Sequence, residues 1–415
     1  MGEILTERIF AAAPNGFLWG TAISAHQSEG NNINSDAWLC ENVSPTLYRE
    51  GSRDGCDSYN RFEEDIAIAA DLGFNCHRMG IEWARIEPEP GLFSMAELDR
   101  VRRLLEACHR RGLAPMVTYN HFTVPRWFAA RGGFEVADGA DLFARFAERA
   151  TRRLGDLISY ASTFNEANIQ RLIAQMDLGP NSRAVIDAML AQCAKASGSD
   201  RFSSLLFAPV ETTEAVLLDA HAKAVSAMKA GPGDFPIGVT LTMQDIQGVG
   251  KEHIAEAVVA LLYGPWLDVA RRADFVGVQT YTRVLVGSSG RLPPPEGAEM
   301  TAAGYEFYPQ ALGGTIRFAA ERIGRPIFVT ESGIATDDDT RRIAYIDAAL
   351  SEVRLCLNEG IDVKSYLYWS LLDNFEWTRG YHEHFGLVQV DRESFTRTLK
   401  PSARHLGAIA RSGRI

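Results

Sequence analysis

The stretch P-I-F-V-T-E at 326–331 is a short run of β-branched and aromatic type that ends on a carboxylate. It is too short for a stable helix and reads as a buried strand, 326–330, with Glu331 just beyond its end. Before it, 309–323 places apolar residues at spacings of three and four, and after it 341–358 does the same. Both flanks read as amphipathic helices, so the local unit is helix, strand, helix. Working outward, the same alternation continues to both ends of the chain. Strands are predicted at 17–23, 74–79, 113–119, 157–163, 237–241, 275–279, 326–330 and 365–369. Helices are predicted at 59–72, 95–111, 142–154, 211–230, 253–270, 309–323, 341–358 and 401–411.

Eight strand-plus-helix units in this order make a closed (β/α)8 TIM barrel of the α/β class more economical than a doubly wound sheet. No Pro/Gly/Ser-rich linker separates two halves, so residues 1–415 are expected to form a single catalytic barrel domain. Two stretches depart from the repeat. One is an excursion at about 177–206, read as a helix at 183–196 followed by a loop; the other is the P-P-P loop at 293–295. Both are expected to pass over the active face or the surface.

Composition narrows the function classes. With 46% hydrophobic and 23% charged residues among 415, the chain has a large core and is neither disordered nor collagen-like. Its 42 Lys+Arg against 53 Asp+Glu give a net charge of −11, so phosphate backbones and anionic lipid would be repelled on average. Nucleic acid is not an expected partner. The longest uncharged apolar stretch, 257–267, is interrupted by Gly264 and Pro265 and falls short of the ~18 residues of a membrane span. The first residues, M-G-E-I-L-T-E-R-I-F-A-A-A-P, lack the apolar core of a secretory signal, and a cytoplasmic location is expected. Six scattered cysteines form no C-x-x-C pair and read as free, mostly buried thiols.

In a barrel of this kind, chemistry collects where strands run out at the C-terminal face. Polar residues fall at those positions: Arg78, His121, Asn165, Glu166 and Glu331, with Trp369 ending the last strand. Two strand-end glutamates converging across a barrel mouth suit glycoside cleavage, one protonated to serve the leaving oxygen and the other ionised. Like-charge proximity raises one pKa, and an adjacent cation keeps the other low. Trp19, Phe122, Trp127, Tyr281, Trp369, Phe375, Trp377 and Phe385 are expected on the same face, beside Gln27, His121, Asn165 and Glu376. Sugar faces stack on rings, and sugar hydroxyls need such polar partners.

Six stretches in order resemble glycoside hydrolase family 1, the retaining exo-acting β-glucosidase family. They are F-L-W-G-T-A-I-S-A-H-Q-S-E-G from Phe17, N-C-H-R-M-G-I-E-W-A-R-I-E-P from Asn75, H-F-T-V-P-R-W-F from His121, T-F-N-E from Thr163, V-T-E-S-G-I-A from Val329 and Y-W-S-L-L-D-N-F-E-W from Tyr368. The resemblance implies that Glu166 is the acid/base, Glu331 the nucleophile and Asn165 the partner of the sugar 2-hydroxyl. Arg78 and Tyr281 would hydrogen-bond the nucleophile. Gln27 and His121 would bind ring hydroxyls, Glu376 and Trp377 the far side of the sugar, and Trp369 would form the stacking floor. It implies double displacement with carboxyl groups about 5 to 5.5 Å apart. No metal or organic cofactor would be needed. The substrate would be a small β-glycoside or oligosaccharide carrying a terminal non-reducing glucose, with galactose and fucose as further candidates.

Departures from the family pattern bear on the substrate. Gln279 stands where the family has Asn in N-Y-Y, Thr280 replaces the first Tyr, Ser332 replaces the Asn after the nucleophile, and Phe122 replaces a Trp. A longer amide at 279 can still reach the site. The Pro after N-E is Ala167, and the loop that follows is not recognisable between Ile169 and Leu206. These departures leave two alternatives, a transglycosylating or tailoring glycosidase and a non-catalytic sugar-binding relative. H-E-H at 382–384 reads as a polar rim rather than a metal site. Glu376 would repel a 6-phosphate. Glu82, Trp83 and Arg85 read as structural, with Arg85 ion-paired, and His26 receives no role. Oligomeric state is not legible.

Overall fold

The computed structural model describes residues 12–176 and 181–415. Parallel strands β1 (Leu18–Ala22), β2 (Cys76–Gly80), β3 (Ala114–Asn120), β4 (Tyr160–Phe164), β5 (Ile237–Thr242), β6 (Val276–Gln279), β7 (Ile327–Ser332) and β8 (Val363–Trp369) form a closed barrel. β8 pairs back onto β1, with Leu18 opposite Ser365 and Ala22 opposite Trp369. Closure leaves no free edge. After each strand a helix returns along the outside: α1 (Ser58–Asp71), α2 (Met95–Arg110), α3 (Gly139–Leu154), α4 (Val210–Lys229), α5 (Trp266–Arg272), α6 (Ala311–Arg322), α7 (Asp339–Asn358) and α8 (Pro401–Ser412).

Local chemistry sets these boundaries. Ser94 accepts the amide of Glu97 to cap α2, Asp338 caps α7 by accepting the amide of Thr340, and Pro401 opens α8 where a missing N–H costs nothing. The helix predicted at 253–270 is two helices, Ala255–Tyr263 and α5, because Gly264 adopts φ 46° and Pro265 cannot donate back to the first. A Cβ on Gly264 would also lie 2.5 Å from the Arg171 guanidinium. In the excursion, a helix spans Ser182–Ala196, one residue longer than predicted. Residues 177–180 of that excursion, like the N-terminal segment 1–11, lie outside the described residues. The P-P-P loop is exposed and follows a small three-stranded sheet of Asp245–Gly248, Arg283–Gly287 and Gly290–Leu292.

Inside the barrel, Leu18, Cys76, Met116, Phe275, Phe328 and Leu367 form a buried apolar plug near the strand starts. Phe275 and Phe328 meet with ring centroids 4.4 Å apart. Room for Phe275 exists because β5 carries Gly238, whose Cβ would lie 2.3 Å from that ring. Above the plug the interior turns polar, and two routes lead there. On β2, Arg78 lies two residues beyond Cys76 and shares its inward face. On β7, strict alternation would place Glu331, three residues beyond Phe328, on the opposite face. The pairings of β7 with β6 and β8 shift register between Val329 and Ser332, and this irregularity turns Glu331 inward. The six cysteines are buried and unpaired. Among the described residues no helix is long and apolar enough to cross a membrane.

Candidate active site

At the C-terminal mouth of the barrel, Glu331 is held on three sides. Its Oε1 accepts from Arg78 Nη1 at 2.5 Å and from Gln279 Nε2 at 2.7 Å, and its Oε2 accepts from the Tyr281 hydroxyl at 2.6 Å. Gln279 ends β6 and Tyr281 follows two residues later, so one strand supplies two of the donors. Arg78 also donates to Asn165 Oδ1, and Gln279 Nε2 donates to the same oxygen at 2.9 Å. Asn165 immediately precedes Glu166. Glu331 and the residue before Glu166, far apart in sequence, are therefore bridged through one guanidinium and one amide.

Glu166 sits just past β4 at φ 43°, a left-handed conformation uncommon for a residue with a Cβ. Strand β5 holds it there: the Glu166 amide donates to Thr240 Oγ1 at 3.2 Å and the Ala167 amide to the Thr240 carbonyl at 2.9 Å. Such strain persists where neighbouring structure over-determines it, and it is common at functional sites.

The two carboxyl groups are electrostatically unlike. Burial pushes Glu166 up, the negative charge of Glu331 adds to it, and together they outweigh Thr242 and Arg78, taking the pKa to about 8. Burial also raises Glu331, but Arg78 and the Tyr281 hydroxyl oppose the rise. The shared proton therefore resides on Glu166, and Glu331 carries the charge. Tyr281 is held neutral, its pKa well above the usual value through burial and the Glu331 charge. Buried His121 is also neutral, pushed well down by desolvation and by Arg78.

The remaining predicted residues surround this pair. Gln27 belongs to a short helix, Ala25–Glu29, capped by Ser24, whose hydroxyl also donates to Gln27 Oε1 at 2.7 Å. Gln27 Nε2 donates to the Phe375 carbonyl at 2.8 Å and to Glu376 Oε2 at 3.3 Å. Glu376 has its pKa raised to about 8 by burial, then by Glu383, Glu331 and Glu166, with Arg379 opposing. His121 stacks on Trp369 at 5.6 Å between centroids and lies parallel to Trp377 at 6.3 Å. Trp369 packs with Ala22, Ala335 and Phe385, while Tyr281 adjoins the same cluster.

Other expectations resolve differently. Trp19 is the second residue of β1; its amide donates to Asn75 Oδ1 and its ring packs on Phe17, near the strand start and away from the mouth. Trp127 is half-buried against the core, its indole donating to the Glu87 carbonyl and its ring edge meeting Trp83. Ser332 lies behind the pocket, paired with the Tyr345 hydroxyl at 3.1 Å. Arg85 is ion-paired with Glu29 at 2.9 Å. In H-E-H, His382 faces Glu50 and His384 faces Asp337, and no group of three or more metal-ligating side chains occurs among the described residues. Gln279, a departure from the family pattern whose longer amide can reach the site, is a direct donor to Glu331. Its signal was positional, since it ends a strand two residues before Tyr281.

The glycosyl hydrolase family 1 model matches residues 10–261 and 268–414. Beta-glucosidase A of Thermotoga maritima is 28% identical over 94% of this chain and 95% of its own. Among solved structures, the apo structure of beta-glucosidase 1317 superposes with a TM-score of 0.93 at 47% identity, covering 96% of this chain and 99% of that one. Beta-glucosidase from Thermotoga maritima in complex with glucoimidazole gives a TM-score of 0.82 at 26% identity, covering 97% and 100%. A family match along nearly the whole described chain, on a barrel with two unlike glutamates at its mouth, leaves one assignment: the chain belongs to glycosyl hydrolase family 1 and is an O-glycosyl hydrolase.

Proposed function

We propose that the protein is a retaining exo-β-glycosidase that removes a terminal non-reducing β-glucose, with Glu331 as nucleophile and Glu166 as acid/base. The carrying observation is the asymmetry of the pair. Glu331 is gripped by Arg78, Gln279 and Tyr281, whereas Glu166 holds its proton up to about pH 8. In the first step an ionised Glu331 oxygen attacks the anomeric carbon and forms the glycosyl ester as the aglycone C–O bond breaks. Glu166 gives its proton to the departing oxygen. Once Glu331 is esterified its charge is gone, the main electrostatic lift on Glu166 falls, and Glu166 becomes a base for the incoming water. Water attack on the anomeric carbon then frees Glu331 and leaves the β-configured sugar.

Around this step, Asn165 presents its amide nitrogen to the 2-hydroxyl, because its oxygen already accepts twice. Gln27, His121, Glu376 and Trp377 meet the other hydroxyls, and Trp369 supports the sugar face. The relatives named beta-glucosidase and the glucoimidazole complex of the Thermotoga maritima enzyme favour glucose over galactose and fucose. Six buried free thiols fit a reducing, cytoplasmic setting, and we take residues 1–415 as one catalytic unit. A 2-deoxy-2-fluoro-β-glucosyl fluoride should label the protein at Glu331, found by peptide mass spectrometry, and the product anomer seen by NMR should be β. Label on another residue, or an α product, would overturn the assignment.

A further inference from the structure

The family motifs leave His26 without a task, yet it occupies a constrained place behind the sugar pocket. Its imidazole is fully buried. Nε2 lies 2.7 Å from Glu41 Oε1, and Nδ1 lies 3.2 Å from Asn32 Nδ2. Glu41 is itself fixed, its other oxygen accepting the Ser52 amide at 2.8 Å and the Ser52 hydroxyl at 2.7 Å. So oriented, the His26 ring stacks on the Trp377 indole with centroids 5.5 Å apart and planes 10° from parallel. Trp377 then lies parallel to His121, and His121 to Trp369. Four rings from three chain segments thus line up along one wall.

A second observation makes that wall need a support. Trp377 adopts φ 46°, left-handed backbone that a bulky side chain rarely takes. Something outside its own segment must hold the indole, and the ring lying flat against it belongs to His26. Stacking of an imidazole on an indole is favourable, more so when the imidazole carries charge. Burial disfavours that charge, but Glu41 beside it, with Glu82 and Asp36 farther off, raises the His26 pKa overall. Of the other titratable groups, His121 lies beyond Trp377 in the stack and is itself pushed down by burial, Arg78 and His26.

We propose that His26, clamped by Glu41, is a positioning residue that fixes the plane of Trp377 and so sets the affinity for the terminal sugar without taking part in bond breaking. The proposal rests on the reading of Trp377 as part of the sugar wall. The experiment compares four full-length variants by KM and kcat on 4-nitrophenyl β-glucoside, with thermal melting as a check on folding. His26→Ala should raise KM about tenfold and leave kcat within about threefold, since only binding interactions are lost. His26→Phe with Glu41→Gln restores a ring without stranding a buried carboxylate, and should return KM to within about threefold of wild type. His26→Gln, which keeps a donor toward Glu41 but no ring, should not.

A folded His26→Ala protein with wild-type KM would overturn the proposal. So would rescue by His26→Gln together with failure of the ring-bearing double variant, a comparison that still decides if the alanine variant does not fold. Trp377→Ala separates the two levels. Unchanged KM there refutes the sugar-wall reading itself; raised KM there with unchanged KM in His26→Ala refutes only the role of His26.

Discussion

The Glu331 side of the pocket and the segment that follows Glu166 are built on different plans. Around Glu331, strand-borne donors interlock: Arg78 from β2, Gln279 from β6 and Tyr281 just past it all converge on one carboxylate. After Glu166 the chain leaves the barrel through a short helix, Ile169–Ile173, and the excursion helix Ser182–Ala196. Its ties there run mostly to backbone and helices: the buried Asn168 and Gln170 amides donate to the Thr242 and Leu205 carbonyls at 3.0 and 2.9 Å, Arg171 pairs with Glu214 at 2.5 Å, and the Thr46 hydroxyl meets the Met189 sulfur at 3.5 Å. The lesson is that the Glu331 end is held by buried donors on or beside rigid strands that crowd one carboxylate, where displacement leaves unpaired charge. The segment after Glu166 is held by helix packing, amide-to-backbone bonds and one ion pair, none of which touches either glutamate, and such connecting segments tolerate change in sequence.

The strongest way to test that contrast is to remove its centre. Glu331→Ala should lower kcat on 4-nitrophenyl β-glucoside by about 10⁴-fold or more, because no ester can form. Activity within a few fold of wild type would dissolve the distinction between the two regions. Glu166→Gln should cost about 10² to 10⁴-fold on substrates with poor leaving groups and far less in the first step on activated ones. In the wild type, kcat/KM should fall above pH 8 as Glu166 loses its proton. Its pKa, followed by carboxyl NMR, should drop in Glu331→Gln, since the Glu331 charge is one of the groups raising it.

Those raised pKa values also predict how stability moves with pH. Glu166 and Glu376 bind protons more tightly folded than unfolded, so their stabilising contribution is full below the ordinary carboxylate pKa and is lost as pH rises through about 8. The melting temperature should fall between pH 5 and pH 8.5, and Glu376→Gln should flatten that slope. A steeper slope in the variant would refute the assignment of the proton.

Smaller effects sharpen the comparison. Gln279→Asn shortens the bridge between Glu331 and Asn165, and kcat/KM should fall about tenfold, roughly the worth of one charge-assisted hydrogen bond. Arg171→Ala breaks the bidentate pair with Glu214 in the segment after Glu166. It should lower the melting temperature and leave kcat/KM on 4-nitrophenyl β-glucoside within about threefold of wild type, since the pair touches neither glutamate. If Arg171→Ala proved the more damaging of the two, the contrast drawn above would be inverted.

Local sequence determined the eight alternating units, because hydrophobic period and strand length are short-range properties written into every segment from 17–23 to 401–411. It also placed Glu166 and Glu331 at strand ends, since a carboxylate directly after V-T or F-N needs no tertiary information to be located. Only the folded barrel decided what those carboxylates face. The shift in β7 that turns Glu331 inward, the reach of Gln279 to two acceptors, and the packing of Trp127 on Trp83 depend on neighbours far away in sequence. Pairing register and burial belong to the assembled sheet, and they set both the direction of a side chain and the charge it can carry.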